Sequence, residues 1–118
     1  MRVKDGVGAY GEEVAVRHLE QQGMEILCRN WRCAEGEIDI VALDGQTVVV
    51  CEVKTRSGTG YGSGLEAVTW EKRSRLRRLA LTWREANGRH NAPVRVDVVA
   101  VHRQRRGAPH IEHVRGAF

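Results

Sequence analysis

Two Val- and Ile-rich runs, residues 36–43 and 47–56, stand on either side of an Asp44-Gly45 pair, and this pattern predicts a β-hairpin in the middle of the chain. In the second run side chains alternate, so Val48, Val50, Glu52 and Lys54 share one face while Val49, Cys51 and Val53 share the other. Both faces begin apolar, which marks a central strand. Ionised groups on such a strand are costly unless a countercharge or a metal meets them, so Glu52 and Lys54 require a partner.

The rest of the chain supplies elements to pack on that hairpin. Residues 11–22 predict a first helix, with Glu12, Ala15, Val16 and Leu19 on one face, Val14 off it, and Gly23 as its stop. Residues 24–31 alternate weakly and predict a strand. Residues 57–64 hold four glycines among eight positions and predict an irregular loop. Thr69 can cap the next helix, where Leu76, Leu79, Ala80 and Trp83 recur at helical spacing until Asn87-Gly88. Residues 94–102 alternate as a buried strand, and a helix between that strand and the hairpin implies a right-handed crossover onto a parallel neighbour. A short tail strand follows. The expected fold class is α/β, a mixed central sheet flanked by helices.

Composition restricts the function classes. With 118 residues, 42% of them apolar and 29% charged, and no repeat or linker, the chain is expected to form one globular domain over residues 1–118. No apolar run approaches the roughly 20 residues of a bilayer span, and the charged first residues do not resemble a signal peptide. A cytoplasmic protein with no membrane partner is expected. Cys28, Cys33 and Cys51 form an odd set without zinc-site spacing, so reduced thiols are expected. The net charge of +4, with six basic residues between Lys72 and Arg84, fits a polyanionic partner. A solvated helix face is the plainer reading of that basic stretch.

Hairpin register decides what the charged strand residues can do together. A two-residue loop of Asp44-Gly45 sets Asp39 against Val50, one diagonal step from Glu52, whereas a four-residue loop of 44–47 sets Asp39 directly opposite Glu52. Either even-length loop puts Asp39, Glu52 and Lys54 on one face, and a three-residue loop reverses Asp39. Two neighbouring carboxylates with an ammonium beside them suit a hard divalent ion, and magnesium takes one or two carboxylates along with waters and phosphate oxygens. Asp39 and Glu52 are the candidate metal ligands. Lys54 is placed to hold an attacking hydroxide or to offset charge on a phosphorane-like transition state. Glu12 is a further candidate because it lies on the apolar stripe of its helix, whereas Glu13 points away toward Arg17. Lys72 falls within the apolar stripe of the second long helix, where it either reaches the site or snorkels. The bland alternative is a buried Glu52–Lys54 ion pair with Asp39 as an ordinary strand residue.

The order helix, three strands, helix, strand resembles the αβββαβ core of the PD-(D/E)XK, or restriction-endonuclease-like, nucleases. More closely, Gly11-Glu12, Asn30, the run from Gly36 through Glu37, Ile38, Asp39 and Ile40 to Val41, and Glu52-Val53-Lys54-Thr55-Arg56 resemble the bacterial YraN-like family of uncharacterised proteins. The resemblance covers nearly the whole chain. It implies a fold similar to archaeal Holliday junction resolvases and a DNA-cleaving chemistry dependent on Mg2+ or Mn2+. Roles carry over only to Glu12, Asp39, Glu52 and Lys54. Ile38 stands where the motif has proline, and Gly64 stands where close relatives are expected to have one.

Three functions follow as expectations. The first is a metal-dependent endonuclease cleaving DNA, including branched or recombining DNA, with Arg56, Lys72, Arg73 and Arg75 as candidate nucleic-acid contacts. Junction cleavage would also require a homodimer. The second is a nucleic-acid-binding module that keeps the fold without turnover. The third is a protein-interaction factor using the glycine-rich loop and exposed arginines.

Overall fold

The computed structural model describes residues 6–57 and 69–117. In chain order these form α1 (Gly6–Gln21), β1 (Glu25–Cys33), β2 (Gly36–Asp44), β3 (Thr47–Ser57), α2 (Trp70–Ala86), β4 (Val94–Arg103) and β5 (His110–Val114). The five strands make one mixed sheet in the order β1-β2-β3-β4-β5. The expected αβββαβ core is present, with β5 added antiparallel to β4 at the edge. No helix among the described residues is long and apolar enough to cross a membrane.

The Val-rich run is the central strand because it has an apolar side chain for each face. Val49 and Cys51 join Ile40, Ala42, Val99 and Val101 beneath Ala15, Val16 and Leu19 of α1. Val48 and Val50 join Ile38 and Val41 beneath Leu79, Ala80 and Trp83 of α2. Alternation therefore separates the helices onto opposite faces of the sheet. β3 pairs antiparallel with β2 and parallel with β4, as a helical crossover between β3 and β4 requires.

Several boundaries differ from the sequence expectation. The β2–β3 turn is Gly45-Gln46, with Asp44 paired to Thr47, and not Asp44-Gly45. Gly45 has φ +61°, which a two-residue turn with glycine at its first central position uses without strain. The resulting register, Leu43 opposite Val48, is the one expected from the longer loop. α1 starts at Gly6 and not at residue 11, because Gly11 is a packing contact inside the helix: a Cβ there would lie 1.9 Å from Thr55 Oγ1 on β3. β1 continues past Trp31 to Cys33, with a register shift between Ile26 and Cys28. Val14, off the predicted stripe, is half-buried and packs at the margin of the α1 core. Of the expected loop at 57–64, only Ser57, which ends β3, lies within the described residues, and Gly64 lies outside them. All three cysteines are free thiols.

β4 also buries a charge that the sequence pattern did not mark. Asp97 is fully buried among Val96, Val98 and Val99. Its Oδ1 accepts from Arg95 Nε at 2.8 Å and from the Gly116 amide at 2.9 Å, and its Oδ2 accepts from Arg95 Nη2 at 3.1 Å. His113 Nε2 lies 2.8 Å from Asp97 Oδ2, and His113 Nδ1 lies 2.9 Å from His18 Nε2 on α1. Burial alone would raise the Asp97 carboxyl, yet these donors bring it below the usual aspartate value. The chain of contacts ties β4, β5 and α1 together at one edge.

Two outcomes are expected. Gly11→Ala should lower unfolding free energy in urea by about 1–3 kcal/mol, because the overlap with Thr55 outweighs the gain of about 0.5–1 kcal/mol from a better helix former. An unchanged midpoint would mean that α1 does not seat closely on β3. Burial, then the charges of His113 and Arg115, hold the His18 imidazole below its ordinary value. Its contribution is therefore present above about pH 6.5 and lost as pH falls through its folded value. Stability between about pH 6.5 and 5 should fall less steeply in His18→Gln than in the parent protein, and equal slopes would remove His18 from this account.

Candidate active site

Asp39 sits where β2 stops pairing with β3. The ladder runs from Asp44–Thr47 to Ile40–Cys51, and one more step in the same register sets Asp39 opposite Glu52. At that point the Val53 amide donates to Asp39 Oδ2 at 2.9 Å. A side-chain carboxylate thus takes a seat that a backbone carbonyl fills in a regular ladder. Ile38 packs in the α2-side core and Ile40 in the α1-side core, so β2 breaks strict alternation at Asp39.

Glu52 lies beyond that break, on the face bearing Val48 and Val50. Its Oε1 is met by Lys54 Nζ at 3.3 Å and by Lys72 Nζ at 2.9 Å. The helix start explains the second contact. Thr69 Oγ1 accepts from the Lys72 amide at 3.2 Å, which places Lys72 in the first turn of α2 on the side that faces the sheet. Lys72 therefore reaches the site, which resolves the alternative of a merely snorkelling side chain. Burial, then the neighbouring Lys72 ammonium, lower the Lys54 pKa. Burial acts to lower Lys72 too, but its hydrogen bonds with Lys54 and Glu52 raise it on balance.

A cavity of about 280 Å³ opens between β2, β3 and α2, and Asp39, Glu52, Lys72 and Arg75 all line it. The structure thus gathers four of the sequence candidates at one cleft, with Lys54 joined through Glu52. Arg56 and Arg73 are exposed and are not among the lining residues. Glu35 and Glu37 do line the cavity and were not singled out from the sequence. Period 2 alone carries no secure signal for Glu37, because β2 breaks alternation at Asp39.

Glu12 is buried as its stripe position implied, but it lies under α1, on the face opposite Lys72. Its Oε1 accepts from Asn30 Nδ2 at 2.9 Å and from Arg29 Nε at 3.3 Å. Asn30 holds φ +53°, a left-handed conformation that Asn tolerates better than most residues. Its amide group thereby meets a carboxylate on the neighbouring helix. Glu13 pairs with Arg17 at 3.9 Å, as expected, and also with Arg29 Nη1 at 3.2 Å. Glu12 is not among the residues lining the cleft.

The donor set decides what ion the cleft suits. Among the described residues no group of three or more His, Cys, Asp or Glu side chains is arranged to hold a metal. The available pair is Asp39 and Glu52, two oxygen donors facing a cavity with room for water. That suits a hard divalent ion that keeps several waters and shares a phosphate oxygen, and not a thiolate- or imidazole-seeking metal.

Comparison with known proteins gives a consistent family result. A model described as Uncharacterised protein family UPF0102 matches residues 11–101. A UPF0102 protein of Parafrankia sp. is 55% identical over 118 residues, covering 100% of both chains. UPF0102 proteins of Beutenbergia cavernae and Kineococcus radiotolerans are each 56% identical, over 116 and 117 residues, covering 98% of this chain and 98% and 96% of their own.

The cleft geometry generates a stability prediction independent of any activity. A double-mutant cycle of Glu52→Gln and Lys72→Met, read by urea unfolding, should give a coupling of about 0.5–3 kcal/mol, because the 2.9 Å contact is largely shielded from solvent. Simple additivity would show that the two side chains do not meet in solution.

Proposed function

The chain belongs to Uncharacterised protein family UPF0102, and from that premise and the geometry of the Glu52 cleft we propose a metal-dependent endonuclease of the PD-(D/E)XK type that hydrolyses DNA phosphodiester bonds. The observation that carries the reading is the convergence of Asp39, Glu52 and Lys72 on one cleft, with Lys72 Nζ 2.9 Å and Lys54 Nζ 3.3 Å from the same Glu52 Oε1. A purely structural ion pair needs one cation. Here one carboxylate draws two, beside a second carboxylate and an arginine, in an open cavity on the sheet.

In this reading Asp39 and Glu52 hold Mg2+ or Mn2+, which supplies Lewis-acid stabilisation of the phosphate and a more acidic water. The Val53 amide fixes the Asp39 carboxylate at the wall of the cleft. Lys72 and Arg75 bring positive charge to the wall of the cleft, suited to phosphate oxygens. Lys54 Nζ holds the attacking water and offsets charge as it builds on the phosphate, the water's proton passes to solvent, and the P–O bond to the leaving strand breaks with that oxygen protonated by solvent. Arg56 and Arg73 extend the basic surface beyond the cleft. Glu12 orders Arg29 and Asn30 and supports β1, and β1 in turn flanks the strand carrying Asp39.

A second reading, binding without turnover, draws on one specific contact: both lysines occupy the same Glu52 oxygen. The two readings separate in one assay. Labelled duplex, junction and single-stranded DNA are incubated with the protein in magnesium and in manganese. Hydrolysis should appear and should fall at least about a hundredfold in Asp39→Ala and in Glu52→Ala, with a smaller loss in Lys72→Ala. Salt-dependent binding with no product in either metal supports the second reading. Cleavage that persists undiminished in both carboxylate variants rejects this site.

A further inference from the structure

Trp70 is the outlier of the described surface. Its side chain is 74% exposed at the first position of α2, while the next most exposed large apolar residue, Val114, is at 37%. A lone exposed apolar side chain is ordinary on a protein surface, so exposure by itself assigns nothing. Its setting does. Trp70 shares the first turn of α2 with Lys72, whose ammonium touches Glu52, but two residues along an α-helix are turned about 200° apart, so the indole stands on the outward face of α2 at the end nearest the cleft.

The helical neighbours of Trp70 distinguish the kinds of partner. At i+3, i+4 and i+7 stand Arg73, Ser74 and Arg77. Arg73, Arg77 and Arg78 are exposed, while Leu76, Leu79, Ala80 and Trp83 turn toward the sheet. The indole therefore heads a cationic strip and not an apolar patch. A protein partner would anchor an aromatic within an apolar interface core, which this strip does not offer. An aromatic face among arginines offers what a nucleic-acid strand needs, a stacking platform for a base and guanidiniums for its phosphates.

We propose that Trp70 stacks on an unpaired base of a nucleic-acid strand whose phosphates are held by Arg73 and Arg77, so that the strand passing α2 is single-stranded. The inference rests on the cleft being a nucleic-acid site, and it narrows the substrate to one with unpaired bases along the outward face of α2. Bases in an intact duplex are stacked on one another and offer no free face to the indole.

The test is binding at fixed salt in the presence of chelator, so that no hydrolysis intervenes. Fluorescence anisotropy is read with labelled oligothymidylate and with a labelled duplex of equal length, for the parent protein, Trp70→Ala and Trp70→Phe. Circular dichroism checks that both variants keep the fold. Trp70→Ala should weaken oligothymidylate binding at least about fivefold, Trp70→Phe should retain most of it, and duplex binding should change less than about twofold. Equal losses on both ligands, no loss in Trp70→Ala, or no binding of either oligonucleotide overturns the proposal. The last is the result expected if the indole anchors a protein. Failure here stays distinct from failure of the hydrolytic reading. Cleavage that needs Asp39, with binding indifferent to Trp70, defeats only this inference. Trp70-dependent binding by a protein that never cleaves defeats only the other.

Discussion

The hydrogen bond from the Val53 amide to Asp39 Oδ2 sets the arrangement of the whole cleft. A two-stranded ladder that continued unbroken would close β2 onto β3 with backbone groups and leave no opening beside Glu52. With a carboxylate in place of a carbonyl, the β3 donor stays satisfied, the strands can separate, and Ile38 and Ile40 can enter different cores. The bond therefore joins fold to site. It preserves hydrogen bonding at a place where the sheet must open, and it fixes one of the two carboxylates that the cavity presents.

Charge on the central strand would be unfavourable in isolation, since β3 is buried on both faces from Val48 to Cys51. The sheet solves this by position. Glu52 and Lys54 fall in the half of β3 beyond the last fully buried residue, Cys51, where the strand is only partly buried and water has access. α2 then supplies Lys72 from its first turn, so the carboxylate acquires a second cation from a separate element. Asp97 is the contrasting case. It sits one strand over, fully buried, and is saturated by Arg95, His113 and the Gly116 amide. One acidic residue is closed off by its partners and serves cohesion, while the other is left facing a cavity.

Much of the fold was legible because its signals are local. The period-2 run of Val48 to Lys54, the Thr69 cap and the Leu76, Leu79, Ala80, Trp83 stripe each state their own geometry within a few residues. Boundaries were less legible where tertiary contact overrides local preference. Gly11 resembles a helix breaker, yet it lies inside α1 because Thr55 leaves no room for a side chain. The hairpin turn moved by one residue because Gly45, and not Asp44, takes the positive φ.

For the site, the sequence by itself determined which ionisable groups share the β3 face and that Lys72 belongs to the inward stripe of α2, because side-chain direction follows from backbone period. Only the tertiary structure decided the hairpin register, the distance from Lys72 to Glu52, the placement of Glu12 with Arg29 and Asn30, and the linkage of Asp97 through His113 to His18. The side-chain pairs among these lie 16 to 95 positions apart along the chain. No local periodicity constrains two residues that far apart, and their meeting is fixed by how the helices lie on the sheet.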